Sequence, residues 1–192
     1  MKITILSGSP NEESSTLRFS KAVRNNLNKR GLRDVTIIDF AKYDIPLIAN
    51  GSVDENNLTT FQKQVFDNLN ASRLVFMHSP EYNWMPSAEI VNFFHQLAGR
   101  KFKSLFDSKT FALAGVSSGR GGNMPCIQMG YVLNKIINHL DLQSMVSPRN
   151  FESQFTNTCL DEDGNSLGNA DYDKGLDMYV DFALRVAIRW HK

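Results

Sequence analysis

The chain has 192 residues, a formal net charge of +1 and a hydrophobic fraction of 42%. A near-neutral charge argues against a dedicated nucleic-acid-binding protein, which usually carries a basic surface. It also lacks the acidic excess with which many small electron carriers dock. Its two cysteines, Cys126 and Cys159, form neither a CxxC pair nor a metal-binding spacing. The sequence has no run of about 18 apolar residues, and a strand pattern begins at once, so we expect neither a membrane span nor a signal peptide and place the protein in the cytoplasm.

Strand and helix patterns alternate along the chain. The predicted strands are residues 1–6, 35–40, 73–79, 110–116 and a weaker run at 143–146, and the predicted helices are residues 17–29, 58–70, 87–97, 127–140 and 171–190. Residues 48–57 and 151–168 are interpreted as surface excursions. This alternation predicts one α/β domain over residues 1–192 with a doubly wound parallel sheet. Ligands of such sheets bind beyond the carboxyl ends of the strands, so the loops after the first, third and fourth strands form the candidate site.

The loop after the first strand has the composition of an anion-binding site. Residues 7–16 are SGSPNEESST. Glycine permits close approach, hydroxyls donate hydrogen bonds, and the helix that follows presents backbone amides with partial positive charge. A bound phosphate ester is one interpretation, and simple capping of the helix by Ser14 or Ser15 is the other. Glu12 and Glu13 fit an anion site only if both side chains point to solvent.

The loop after the third strand combines aromatic surface with polar edges. Tyr82 and Trp84 offer flat rings, and Asn83 and the backbone offer hydrogen-bonding groups. Pro80 and Pro86 stiffen the loop, and Pro86 is suited to open the next helix. This mixture suits a planar heterocycle. The alternative is a rigid turn whose aromatic side chains pack in a subunit interface.

The loop after the fourth strand is rich in glycine. Residues 116–123 are VSSGRGGN, and such a cluster usually serves positive φ angles or close approach to a bulky group. A flexible connection is the alternative. Arg120 offers a guanidinium suited to a nicotinamide phosphate. His78 and Cys126 lie near these loops in the sequence, and we interpret both as structural.

Together these residues resemble the NADPH-dependent FMN reductase family, a branch of the flavodoxin-like flavoproteins that includes quinone, azo and chromate reductases. The resemblance spans residues 2 to about 140, with a looser match to the last helix. It is carried by Pro80-Glu81-Tyr82-Asn83, followed by a proline and a helix with Asn92; by Gly8-Ser9 with Ser14 and Thr16; and by Ser118-Gly119-Arg120-Gly121-Gly122.

The resemblance implies a flavodoxin-like three-layer sandwich with a five-stranded parallel sheet in the order 2-1-3-4-5. It also implies a homodimer or homotetramer and an enzyme with FMN as cofactor. Hydride would pass from NADPH or NADH through FMN to a small acceptor such as a quinone, an azo compound or free flavin, so no catalytic side chain and no metal are expected. The chain lacks a GxGxxG fingerprint, which favours FMN over FAD.

The resemblance also implies roles for individual residues. The FMN phosphate is expected on Ser9, Asn11, Ser14, Ser15 and Thr16. The isoalloxazine ring is expected between Pro80, Glu81, Tyr82 and Asn83 on one side and Ser117, Ser118, Gly119, Gly121 and Gly122 on the other. Trp84 and Arg120 are expected to contact substrate.

Two positions depart from the family pattern. The family usually has arginine where this chain has Asn11, and the segment between Asn83 and Pro86 is one residue shorter, with Trp84 in place of a small residue. Loss of one charge-assisted contact at Asn11 would weaken FMN binding about ten- to a hundredfold. Two alternative functions therefore stay open: an electron-transfer flavodoxin-like carrier, and a flavin-free relative without enzymatic activity.

Overall fold

A parallel sheet with helices on both faces is the main feature of the computed structural model, which describes residues 1–191. The strands are β1 (Ile3–Ser7), β2 (Val35–Asp39), β3 (Leu74–Pro80), β4 (Thr110–Val116), β5 (Met145–Val146) and β6 (Phe151–Ser153). The helices are α1 (Ser15–Lys29), α2 (Thr60–Ala71), α3 (Ala88–Leu97), α4 (Asn123–Leu140), α5 (Thr156–Cys159) and α6 (Ala170–Trp190), and short 3-10 turns lie at Phe40–Lys42 and Arg100–Leu105.

The strand order β2-β1-β3-β4-β5 confirms the predicted flavodoxin-like topology. Every pairing is parallel, and the register sets Ser7 beside His78 and Pro80 beside Val116. The carboxyl ends of β1, β3 and β4 therefore lie close together at one edge of the sheet. The loops that follow these strands meet at that edge, where ligands of such sheets bind.

Two apolar clusters, one on each face of the sheet, hold the layers together. On one face α1 and α6 contribute side chains such as Phe19 and Tyr179. On the other, α2, α3 and α4 contribute side chains such as Phe93 and Met129. The central strands β1, β3 and β4 are buried along their whole length, which explains their near-continuous apolar sequences. No helix within residues 1–191 has the length and hydropathy needed to cross a membrane.

Helix starts are set by polar caps and by proline. Ser14 caps α1 and Ser87 caps α3 through their side-chain oxygens. Pro86 therefore precedes the cap of α3, and the prediction that it opens that helix is wrong. The helix α4 begins at Asn123, earlier than predicted, because Pro125 is tolerated in a first turn, where its missing N–H costs no intrahelical bond.

The prediction of a surface excursion at residues 151–168 is wrong at its start. Phe151–Ser153 forms β6, which pairs with β4 beyond the point where β5 ends, so the sheet has six strands rather than five. Ser153 and Thr156 are fully buried. A three-residue strand held by a distant partner has no periodicity of its own that a sequence could reveal.

Asn92, part of the sequence pattern of the helix α3, holds the segment that leads into residues 48–57. Its Nδ2 donates to the carbonyl of Pro46 at 2.9 Å, and its Oδ1 accepts from the amide of Ile48 at 3.1 Å. Most of the residues that follow are exposed, although Val53 is buried. The predicted surface excursion at 48–57 is therefore confirmed, and Asn92 serves to anchor its start.

Candidate functional site

A cavity of about 300 Å³ lies where the loops after β1, β3 and β4 meet. Its walls are Ser9, Asn11, Glu13, Ser14, Ser15, Thr16, Pro80, Glu81, Tyr82, Val116, Ser117 and Ser118. Most residues that the sequence assigned to a cofactor thus line one space. Asn83, Gly119, Gly121 and Gly122 belong to the same loops but stand outside the lining, as do Trp84 and Arg120.

The N-terminus of α1 opens into this cavity. Ser14 caps the helix, because its Oγ accepts from the amide of Leu17 at 3.1 Å, and the capping interpretation is correct for this residue. Among residues 1–191 its hydroxyl proton has no acceptor, so it can donate to a ligand. Within residues 1–191, the amides of Ser15 and Thr16 have no hydrogen-bond partner, as expected in a first helical turn. The positive end of the helix dipole therefore presents several donors to the cavity.

The side chain of Asn11 is bound within the protein. Its Nδ2 donates to the hydroxyl of Tyr82 at 3.0 Å, which joins the loop after β1 to the loop after β3. The backbone amide of Asn11 donates to the Oγ of the buried Ser9 at 3.3 Å. Glu12 and Glu13 are exposed, as an anion site requires, although Glu13 also lines part of the cavity.

The loop after β3 is a tight two-residue turn. Tyr82 and Met85 exchange both backbone hydrogen bonds at 3.0 Å, and the central residues Asn83 and Trp84 have φ angles of 50° and 65°. The left-handed region is rare for a residue as bulky as tryptophan. The carbonyl of Trp84 accepts from Nε2 of Gln128 at 2.9 Å, and the residue is 72% exposed. The shortened loop therefore presents the Trp84 ring to solvent.

Residues 117–122, the glycine-rich loop, pack closely against β4 and Glu81. A Cβ at Gly115 would overlap the backbone of Gly122, and one at Gly121, whose φ is 151°, would overlap the Glu81 carboxylate. The amide of Gly122 donates to Oε2 of Glu81 at 2.6 Å. The glycines thus serve close approach rather than simple flexibility. Arg120 lies on this loop with an exposed side chain.

His78 and Cys126 are structural, as predicted. Nδ1 of His78 is 2.8 Å from Oγ of Ser20 on α1, and its carbonyl accepts from the amide of Gly8 at 2.8 Å. Burial lowers the pKa of His78 to about 3, so the imidazole is neutral. Burial also raises the pKa of the Cys126 thiol to about 12, which leaves the thiol protonated and unreactive.

The sequence analysis missed the segment that follows β6. The hydroxyl of Ser15 donates to Oδ1 of Asn157 at 2.7 Å, and the carbonyl of Ser117 accepts from Thr156. Residues 153–158 are SQFTNT, a polar run typical of an exposed loop. The pairing of β6 with β4 brings this run against Ser15 and Ser117, which line the cavity.

Solved structures share this fold over nearly the whole chain. The flavoenzyme NAD(P)H:(acceptor) oxidoreductase FerB from Paracoccus denitrificans is 16% identical with a TM-score of 0.68, over 96% of this chain and 97% of that one. The apo NADH:FMN oxidoreductase EMOB is 16% identical with a TM-score of 0.65, over 96% and 89%. The NADPH-quinone reductase from P. pentosaceus is 14% identical with a TM-score of 0.60, over 95% and 98%. At these identities the likeness shows the fold alone.

Sequence comparison identifies the family. No curated protein shows significant similarity to the chain. The sequence profile of the NADPH-dependent FMN reductases, however, matches residues 1–152, which include β1, β3, β4 and the three loops that meet at the cavity. The chain therefore belongs to the NADPH-dependent FMN reductase family, with FMN as its cofactor and NAD(P)H as its reductant.

Proposed function

We propose that this protein is an FMN-dependent NAD(P)H oxidoreductase whose acceptor is a small molecule such as a quinone, an azo compound or free flavin. When bound, FMN supplies the redox chemistry, and the protein binds and orients the reactants. The observation that carries the proposal is the convergence of three loops and the free amides of α1 on one cavity. Residues 1–192 are proposed to form a single FMN-binding domain. A cytoplasmic location accords with NAD(P)H as reductant and with the unpaired Cys126 and Cys159.

The phosphate end of the site lies at the start of α1. The residues proposed to bind the phosphate are Ser9, Asn11, Ser14, Ser15 and Thr16. The amides of Ser15 and Thr16 and the hydroxyl of Ser14 are suitable donors for phosphate oxygens, so the residues present fit the group. Within residues 1–191 the cavity lining contains no lysine or arginine. The helix dipole and neutral donors must therefore balance the phosphate charge, which predicts weaker binding than an arginine would give.

The ring end lies between two facing loops. Pro80, Glu81, Tyr82 and Asn83 are proposed to bound the isoalloxazine on one side, and Ser117, Ser118, Gly119, Gly121 and Gly122 on the other. Because the Glu81 carboxylate is occupied by the amide of Gly122, its role is to hold the two loops at a fixed spacing. The exposed Trp84 and Arg120 are proposed to contact the acceptor and the nicotinamide phosphate.

A second copy of the chain is the proposed partner, in a homodimer or homotetramer. An apolar groove of about 420 Å³ runs between α3 and α4 and is lined by residues such as Phe94 and Met129. It lies near the exposed side chains of Trp84, Ile127 and Tyr131, which are 72%, 52% and 76% exposed. Such a surface is typical of a protein interface. Light scattering should give a dimer or tetramer whose dissociation constant rises in Tyr131→Ser, and a monomeric wild-type protein would contradict the proposal.

The proposed activity is tested with FMN-loaded protein under anaerobic conditions. NADPH and NADH oxidation is followed with a panel of quinones, azo compounds and free flavin. We expect acceptor-dependent oxidation with parallel-line kinetics, because donor and acceptor would use the same flavin face in turn. A protein that binds FMN but oxidises neither NADPH nor NADH faster than the protein-free control would instead be an electron-transfer carrier. One that binds no FMN would be a flavin-free relative.

A further inference from the structure

We propose that residues 153–157, the segment that joins β6 to α5, support the FMN site through their contacts with Ser15 and Ser117, which line its cavity. In this segment Thr156 positions the glycine-rich loop and Asn157 binds the phosphate group. The inference rests on the proposed function. The family profile ends at residue 152, so this segment lies outside the part of the chain that family membership describes.

Thr156 and its neighbours hold the glycine-rich loop at two points. At the start of the loop, the amide of Ser117 donates to the carbonyl of Ser153 at 2.9 Å. The carbonyl of Ser117 lies 3.2 Å from the amide of Thr156 and 3.1 Å from its Oγ1. Further along, the carbonyl of Gly119 accepts from the amide of Phe155 at 3.0 Å. The path of the loop beside the cavity therefore depends on this segment.

A buried chain of hydroxyls sets the position of Thr156. Oγ of Ser153 is 2.7 Å from Oγ1 of Thr156 and 2.5 Å from the hydroxyl of Tyr172 on α6. Each hydroxyl has one proton, so donation from Tyr172 to Ser153, then to Thr156, then to the carbonyl of Ser117 satisfies every group. Burial raises the pKa of Tyr172, which keeps it a donor. Buried, fully satisfied networks of this kind fix one arrangement.

Asn157 stands at the phosphate end. Its Oδ1 accepts from the hydroxyl of Ser15 at 2.7 Å, and Ser15 is the first residue of α1. Within residues 1–191 the Nδ2 of Asn157 has no hydrogen-bond partner, so the side chain that contacts the hydroxyl of Ser15 offers two further donors. Because no lysine or arginine among residues 1–191 lines the cavity, a neutral amide donor contributes a larger share of phosphate binding than it would beside a cation.

The role of Asn157 is tested by comparing two ligands that differ in the phosphate. FMN and riboflavin are titrated into the flavin-stripped protein, and their fluorescence is followed. We expect Asn157→Ala to weaken FMN binding about tenfold and to leave riboflavin binding unchanged. Asn150→Ala is the matched control, since Asn150 is also exposed but, within residues 1–191, makes no hydrogen bond to a residue that lines the cavity. An unchanged ratio of the two dissociation constants in Asn157→Ala would overturn the role of Asn157.

The role of Thr156 is tested by removing its side-chain hydroxyl. Thr156→Val should weaken FMN and riboflavin by the same factor, about five- to tenfold, and should shift the visible spectrum of bound FMN. Thr156→Ser keeps the hydroxyl and should restore the wild-type affinity for both flavins and the wild-type spectrum of bound FMN. If Thr156→Val does not fold, Tyr172→Phe interrupts the same chain from α6 and should give the same pattern in weaker form.

The outcomes separate this inference from the proposed function. A wild-type protein that binds neither flavin overturns the proposed function and this inference with it. Wild-type binding that none of these substitutions changes overturns this inference alone.

Discussion

The two ends of the proposed FMN site are built in different ways. The phosphate end is centred on the start of α1, where the amide of Leu17 donates to the Oγ of Ser14, three residues away, and Asn157 adds a long-range contact to Ser15. The ring end depends on long-range contacts: Glu81 to Gly122 spans 41 residues and Thr156 to Ser117 spans 39. Damage to the phosphate end should therefore reduce only the preference for FMN. Damage to the ring end should reduce binding of every flavin.

The largest effect is expected at Gly115. In Gly115→Ala the added Cβ would overlap the backbone of Gly122, so the glycine-rich loop must move and the ring end must open. We expect FMN and riboflavin binding to fall together by more than about a hundredfold, measured by fluorescence titration. Gly130→Ala is the control, because a Cβ there would be 3.5 Å from Leu113. Near-normal binding in Gly115→Ala would show that the ring end does not need this close approach.

The double substitution Ser14→Ala with Thr16→Ala should have the next largest effect. It removes two hydroxyls at the phosphate end, and the expected loss of FMN affinity is about thirty- to a hundredfold, with little change for riboflavin. Loss of a helix cap also lowers stability by about 1 kcal/mol. Thr59→Ala removes the cap of α2 and controls for that loss. Equal weakening of FMN and riboflavin would contradict the separation of the two ends.

Glu81 tests the contact between the two ring loops. Glu81→Ala leaves the amide of Gly122 without its acceptor, and both flavins should bind about tenfold or more weakly. Glu81→Gln keeps an acceptor oxygen, and its affinities for both flavins should lie between those of Glu81→Ala and those of the wild-type protein. If Glu81→Gln binds as weakly as Glu81→Ala, the charge of Glu81 matters more than the spacing that it holds.

The last prediction concerns stability rather than binding, at His78, which joins β3 of the ring end to α1 of the phosphate end. Its pKa is about 3 in the folded protein and 6.5 in the unfolded chain. As the pH falls, His78 therefore takes up a proton in the unfolded chain before it does so in the folded protein. The free energy of unfolding decreases as the pH falls below 6.5. The expected loss is about 2 kcal/mol at pH 5.

Denaturant unfolding at pH 7 and pH 5 measures this effect. His78→Gln should show a smaller loss of stability between the two pH values than the wild-type protein. His139→Gln, at an exposed position of α4, should behave as the wild-type protein does. The same pH dependence in His78→Gln and the wild-type protein would show that other groups cause it.

The contrast between the two ends also explains what could be predicted from the sequence. The phosphate loop was recognisable because Gly8, Ser14 and the helix start are neighbours in the chain. The doubly wound parallel sheet followed from apolar runs that are buried on both faces, and the strand order followed from the resemblance to the FMN reductase family. The bond between Glu81 and Gly122 and the pairing of β6 could not be predicted, since both depend on tertiary contacts with no local signal. The polar run after β6 even favoured the wrong interpretation.

The central claim is that the N-terminus of α1 binds the phosphate of FMN without help from an arginine. The most direct measurement is the ratio of the dissociation constants of riboflavin and FMN for the wild-type, flavin-stripped protein. We predict saturable binding of both, with FMN preferred by about tenfold or more and a preference that declines as ionic strength rises. Equal affinity for the two ligands, or no binding of FMN, would contradict it.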